Sequence, residues 1–152
     1  MQRKCERMAA MKMTFLTAMA VALLVGHAAL SQTPAAGPKH HVAFQLSEAD
    51  DVAWNSVVVH VNNTMKALSE DGGSQVEVVF WGPGLEMLRK TNTAYEERLK
   101  ELADHGVKLL ACRNAMKNRK VTTEDLFSFA GQVDSGIAEI VRKQESGWAY
   151  IH

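Results

Sequence analysis

Gly106-Val107-Lys108-Leu109-Leu110-Ala111-Cys112-Arg113-Asn114-Ala115-Met116 is the stretch on which the fold turns. Val107 to Ala111 reads as a short strand buried within a sheet. Cys112 falls where that strand should end. Arg113 and Asn114 follow, and then a short piece with helical character. A thiol at the carboxyl end of a strand, beside an arginine and near a helix start, is well placed to become a thiolate. Arg113 would favour that anion, and Asn114 could hydrogen-bond it. The carboxyl ends of strands are also where open α/β sheets bind ligands.

Upstream, Val42, Phe44 and Leu46 alternate within His40-His41-Val42-Ala43-Phe44-Gln45-Leu46, which predicts a first strand. Ser47-Glu48-Ala49-Asp50 carries helix-starting side chains. Val57-Val58-Val59-His60-Val61 has strand propensity. The wider spacing of Trp54, Val57, Val58, Val61, Met65 and Leu68 instead predicts one helix over 51–68, ended by Ser69 to Gly73. Val76 to Trp81 predicts a second strand, apolar enough to be covered on both faces. Gly82-Pro83-Gly84 predicts a sharp turn, followed by a short helix over 85–90 and a longer one over 94–104, with Tyr95, Leu99 and Leu102 on one face.

Downstream, Met116 to Lys120 is polar and basic, and Thr122-Thr123-Glu124-Asp125 starts another short helix. Gln132-Val133 predicts a short fourth strand. Ser135 caps a helix over 136–145 with Ile137, Ile140 and Val141 inward, and Trp148 to Ile151 predicts a terminal strand. Strands alternating with helices predict a mostly parallel five-stranded sheet with right-handed crossovers. At this length the expected architecture is a flavodoxin-like three-layer α/β sandwich.

The chain has 152 residues, enough for one domain with a real core, and 17 basic and 17 acidic residues. Four of the basic residues (Arg3, Lys4, Arg7 and Lys12) and one acidic residue (Glu6) lie in the first 31 positions, so the remainder is mildly acidic. No basic face of the kind a nucleic-acid binder carries is indicated. The basic start, the apolar run Met13 to Leu30 and the small residues Ala29-Leu30-Ser31 have the layout of a secretory signal peptide over 1–31. An uncleaved membrane anchor is the less favoured reading of the same run. Initiation at Met8 or Met11 would give a more typical basic region. A small-residue and proline linker follows over 32–39, and the domain over 40–152. The expected location is periplasmic. Cys5 would leave with the leader, so the mature chain would hold Cys112 alone and form no internal disulfide.

No other motif completes a site. Gly82-Pro83-Gly84 does not match a phosphate loop and reads as a tight strand–helix connection. His40-His41 has no second cluster to complete a metal site. His60 is expected to be packed within its helix, and His105 to sit near a helix C-terminus. Asp50-Asp51 and Glu96-Glu97 read as solvated helix faces. No cofactor or metal is expected. The residues leave Cys112 open between a nucleophile that carries sulfur as a persulfide and a small buried apolar residue that closes a strand.

Taken together, the first strand with Trp54-Asn55, the run Val78-Val79-Phe80-Trp81-Gly82-Pro83-Gly84, the run Gly106-Val107 through Ala111-Cys112-Arg113-Asn114, and Ser135-Gly136-Ile137-Ala138-Glu139 through Gly147-Trp148-Ala149-Tyr150-Ile151 resemble the DsrE/DsrF-like family of small sulfur-metabolism proteins. The resemblance covers about His41 to Ile151 and is strongest to the exported branch. It implies the flavodoxin-like sandwich and assembly into trimers or hexamers. In cytoplasmic members, a cysteine in the loop after a central strand receives persulfide sulfur and passes it on. Cys112 matches that position. A sulfur donor or acceptor, protein or small compound, is the partner implied. The contrasting expectation is a non-catalytic oligomeric binding module with a structural cysteine.

Overall fold

The computed structural model describes residues 37–152. The predicted leader over 1–31 with its Cys5, and the linker as far as residue 36, lie outside the described residues. Five strands alternate with four helices: β1 His40–Leu46, α1 Asp51–Leu68, β2 Ser74–Phe80, α2 Thr93–Asp104, β3 Lys108–Cys112, α3 Arg113–Arg119, β4 Gly131–Val133, α4 Gly136–Glu145 and β5 Ala149–Ile151. Short 3-10 segments cover Gly82–Leu88 and Thr123–Asp125. The five strands pair in parallel throughout the sheet, in the order β4-β3-β2-β1-β5. The expected parallel α/β sandwich is what forms.

The strand order dictates where the helices go. From β1 to β4 the chain steps one way across the sheet, so right-handed crossovers put α1, α2 and α3 on one face. From β4 it returns past β1 to β5, which puts α4 on the other. The larger core lies on the first face, where Val42, Phe44, Leu46, Val76, Val78, Phe80 and Leu109 meet the three helices. The second face is thinner: Ala43 and Val79 pack under Ile140, with Trp148 and Tyr150 at the margin.

The valine-rich stretch is helical throughout, as its period predicted. The Asp50 carboxylate accepts hydrogen bonds from the amides of Val52 (3.1 Å) and Ala53 (2.9 Å) and so starts α1. Trp54 packs edge-on against Tyr95 at 5.3 Å between centroids, and the Tyr95 hydroxyl donates to Asp51 at 3.2 Å, which fastens α1 to α2. Val57, Val58 and Val61 are buried, whereas Val59 and His60 are exposed. His60 is therefore not packed as expected. It lies beyond the three-residue stripe that the sheet covers.

The segment after β2 is a single 3-10 stretch rather than a turn followed by a helix over 85–90. It must cross the end of β1. A Cβ on Gly84 would lie 2.3 Å from the Leu46 carbonyl oxygen, and the Gly84 amide donates to the Ser47 carbonyl at 2.9 Å. Such a close approach admits only glycine. It also consumes the amide, in keeping with the reading as a connection. The expected helix at Thr122 to Asp125 is one 3-10 turn, closed by a capping box between Thr122 and Asp125.

α4 is rotated from its expected setting. Ile140 is buried, but Ile137 and Val141 are 48 % and 46 % exposed. The stripe facing the sheet is Gly136, Ile140 and Lys143, and the reason is a charge. Glu77, in the middle of β2, is 1 % exposed, and its Oε2 lies 2.7 Å from Lys143 Nζ. Lys143 also sits 4.0 Å over the Trp148 ring and 3.5 Å from Glu139. A buried carboxylate needs its partner more than isoleucine needs burial: an unpaired buried charge costs several kcal/mol, against about 1.5–3 for covering an aliphatic side chain. Lys143→Met should therefore cost about 3–5 kcal/mol in urea unfolding, while Glu77→Leu/Lys143→Met should recover most of it.

Candidate functional site

Cys112 is the last residue of β3 and the N-cap of α3. It is 5 % exposed. In register, Ala111 lies beside Phe80 of β2, and Cys112 beside Val133 of β4. α3 leaves the end of β3 for one face of the sheet and α4 follows β4 onto the other. The ends of these adjacent strands thus form a topological switch point, where parallel sheets open a crevice.

The first amide of α4 closes on the thiol. Gly136 N–H donates to Cys112 Sγ at 3.1 Å. Ser135, the cap of α4, uses its hydroxyl to accept from Ala138 N–H at 3.4 Å, so Gly136 keeps its own amide for the sulfur. The approach requires glycine. A Cβ on Gly136 would stand 3.1 Å from Val79 Cγ1, 3.2 Å from Trp81 Cβ and 3.3 Å from Cys112 Cβ. Unpaired amides at a helix N-terminus carry its positive pole and favour anions. The loop before α4 is fastened by Arg142, whose guanidinium makes paired hydrogen bonds of 3.1 and 2.8 Å to Asp134. Those bonds hold the Asp134 carboxyl below its ordinary value.

The thiol opens onto a cleft of about 380 Å³. Trp81 and Gly82 from the end of β2 form one wall, and Ser135 and Ile137 from the start of α4 another. Asn114, Ala115, Asn118 and Arg119 of α3 supply the third. None of the lining residues is a carboxylate. Trp81 Nε1 is buried and finds no acceptor among the described residues.

Arg119 is held from behind. Its Nε donates to Glu86 Oε1 at 2.9 Å, and Arg89 Nη1 donates to Glu86 Oε2 at 3.1 Å. Burial alone would raise the Glu86 pKa, but the hydrogen bonds from Arg119 and Arg89 outweigh it and hold the carboxyl below its ordinary value.

The two neighbours singled out by sequence part company here. Asn114 lines the cleft with Cys112. Arg113 is exposed, and its Nε donates to Gln132 at 3.2 Å across the sheet edge. The donor that touches sulfur is Gly136, 24 positions downstream. Sequence reasoning named Ser135 as a cap but did not connect α4 with the thiol, because the contact depends on the crossover direction. Glu77 was likewise missed. Its signal was a single carboxylate inside the apolar run Val76-Glu77-Val78-Val79-Phe80. His105 stands at the C-cap of α2, as expected, with Nδ1 2.9 Å from the Glu101 carbonyl. Among the described residues no three His, Cys, Asp or Glu side chains converge on a metal position, and no helix is long and apolar enough to cross a membrane.

A parallel three-layer sandwich with one thiol at its switch point defines a class of small α/β cysteine proteins. This chain belongs to the DsrE/DsrF-like family, whose profile matches residues 29–152. Among solved structures it is similar to a protein of unknown function from Methanobacterium thermoautotrophicum, MTH1491, with 32 % identity and a TM-score of 0.70, over 74 % of this chain and 97 % of that one. A conserved protein of unknown function from Bacteroides thetaiotaomicron, BT1422, shares the fold at 12 % identity and a TM-score of 0.59, over 73 % of this chain and 92 % of that one. No curated protein matches.

The Glu86 cluster gives a pH test. A carboxyl held below its ordinary value of 4.5 in the folded state adds stability that is fully present above that value and is lost as pH falls through the folded-state pKa. In denaturation measured from neutral pH down to about pH 3, Glu86→Gln should start less stable than wild type and lose less on acidification.

Proposed function

We propose that this is a sulfur-handling protein in which Cys112 accepts a sulfur atom, holds it as a persulfide and passes it on. The observation that carries this reading is the Gly136 amide donating to Cys112 Sγ at the floor of an open cleft. A donor group at the head of a helix, aimed at a cysteine, is the setting in which thiols act as nucleophiles. The family match supports it, since the resemblance implies a sulfur-carrying cysteine at this position. In the step itself the Cys112 thiolate attacks a sulfane sulfur of the donor. A new S–S bond forms, the donor's bond to that sulfur breaks, and the remainder of the donor departs with the electron pair. The reverse attack by an acceptor thiolate unloads the protein. No outside oxidant or reductant enters. Asn114, which lines the same cleft, hydrogen-bonds the loaded sulfur in this reading, while Arg113, which donates to Gln132, contributes charge from a distance.

Incubation with inorganic polysulfide should add the mass of a sulfur atom to the wild-type protein and nothing to Cys112→Ser. No adduct on wild type, with Cys112 alkylated only after unfolding, would instead establish the cysteine as structural and the protein as a binding module.

We propose further that the mature chain is exported to the periplasm, loses residues 1–31 and assembles as a homo-oligomer of three or six copies. Ile137 and Val141, one turn apart on α4, leave an apolar stripe in water on the thinly covered face, and Val59 and Ile151 are also exposed. Exposed aliphatic side chains one turn apart, as Ile137 and Val141 are, fit a surface that a partner covers. Protein recovered from the periplasm should begin at Gln32 by intact mass. In light scattering it should give three or six chain masses. A monomer mass unchanged on concentration would refute the assembly.

A further inference from the structure

The cleft around Cys112 has a polarity that says what kind of sulfur donor it takes. Asn114 and Asn118, four positions apart on α3, present two side-chain amides from one wall. Arg119 follows on the same wall. Its Nε is engaged by Glu86, which leaves both terminal nitrogens without a hydrogen-bond partner among the described residues. Glu86 does not cancel this charge, because Arg89 shares the same carboxylate: two guanidinium groups face one anion. Outside the lining, α3 and its C-cap also carry Arg113, Lys117 and Lys120, with no acidic residue between 113 and 121. The cleft therefore offers donors and positive charge without a carboxylate in its lining. A planar guanidinium fixed from behind is preorganised to hold an oxoanion.

The thiol imposes a second limit. At 5 % exposure on the floor of a cleft of about 380 Å³, it can be reached by a slender molecule but not by a flat protein surface. The space is of small-molecule size.

We propose that the site takes its sulfur from a small compound that carries a sulfane sulfur next to an oxoanion, a thiosulfonate end of the kind inorganic thiosulfate presents. This rests on the reading of Cys112 as a sulfur acceptor and adds the recognition of the donor. Arg119, Asn114 and Asn118 hold the sulfonate oxygens. The Cys112 thiolate attacks the outer sulfur, the new S–S bond forms, the sulfur–sulfur bond of thiosulfate breaks, and sulfite leaves with its electron pair. The charge that develops on the leaving sulfite stays on the cationic wall, so the same donors that bind the substrate stabilise the departing group.

The test compares initial rates of Cys112 loading, by intact mass, from thiosulfate and from oxygen-free inorganic polysulfide. Wild type should load from both. Arg119→Gln should lower the ratio of thiosulfate to polysulfide loading about tenfold, through a raised KM for thiosulfate. Should Arg119→Gln unfold, Asn114→Ala/Asn118→Ala, at two exposed helix positions where alanine is the better helix former, should lower the ratio in the same direction. Wild type that loads from polysulfide but not from thiosulfate, or variants that keep the wild-type ratio, would overturn the proposal and leave the sulfur-acceptor reading intact. Loading from neither donor would overturn both.

Discussion

The structure depends on one reversal of direction. A right-handed crossover allows the chain to lay α1, α2 and α3 on a single face only while it steps one way across the sheet. When it turns back after β4 to place β5 beside β1, the returning helix has one face left to occupy. Among the described residues α4 alone covers that face, and its first amide arrives at the end of β3. The cleft, the thiol's hydrogen-bond donor and the uncovered stripe at Ile137 and Val141 all follow from that turn.

Holding a lone ten-residue helix on a sheet is a harder task than burying one among neighbours. Only Gly136 and Ile140 of α4 are buried, too little apolar surface to fix its rotation. The Glu77–Lys143 pair supplies direction instead. Its geometry is short at 2.7 Å, with Glu139 further from the ammonium at 3.5 Å and the Trp148 ring 4.0 Å from it. A pair of this kind contributes little net stability over an apolar replacement. Its effect here is to select one rotation of α4, the one that brings Gly136 against Cys112.

The fold was legible because its signals are local. The 3.6-residue period of 51–68 outweighed the strand propensity of Val57 to Val61, since helical spacing over several turns is a stronger statement than five adjacent valines. Asp50 and Ser135 marked helix starts by their own chemistry. The site was only half legible. Cys112 stood out by position, but its partners come from segments far apart in sequence, and neither Gly136 nor Arg119 carries a local mark of its role. The inward setting expected for Ile137 and Val141 failed for a related reason. Periodicity finds the apolar stripe of a helix, whereas α4 is turned by a charge on a different strand.

The pairing of β1 with β5 joins nearly the first and last residues of the domain: Val42 lies opposite Ala149, and Phe44 opposite Ile151. Until β5 is available, β1 is an open edge, and the Ala43–Val79–Ile140 side of the core has no margin at Tyr150. The entropy of closing so long a loop grows only slowly with its length, but contacts this distant in sequence slow folding. The first four strands can pair as the chain emerges, while the edge that shields β1 waits for β5. A chain shortened by the three residues of β5 would leave β1 as a free template for another strand.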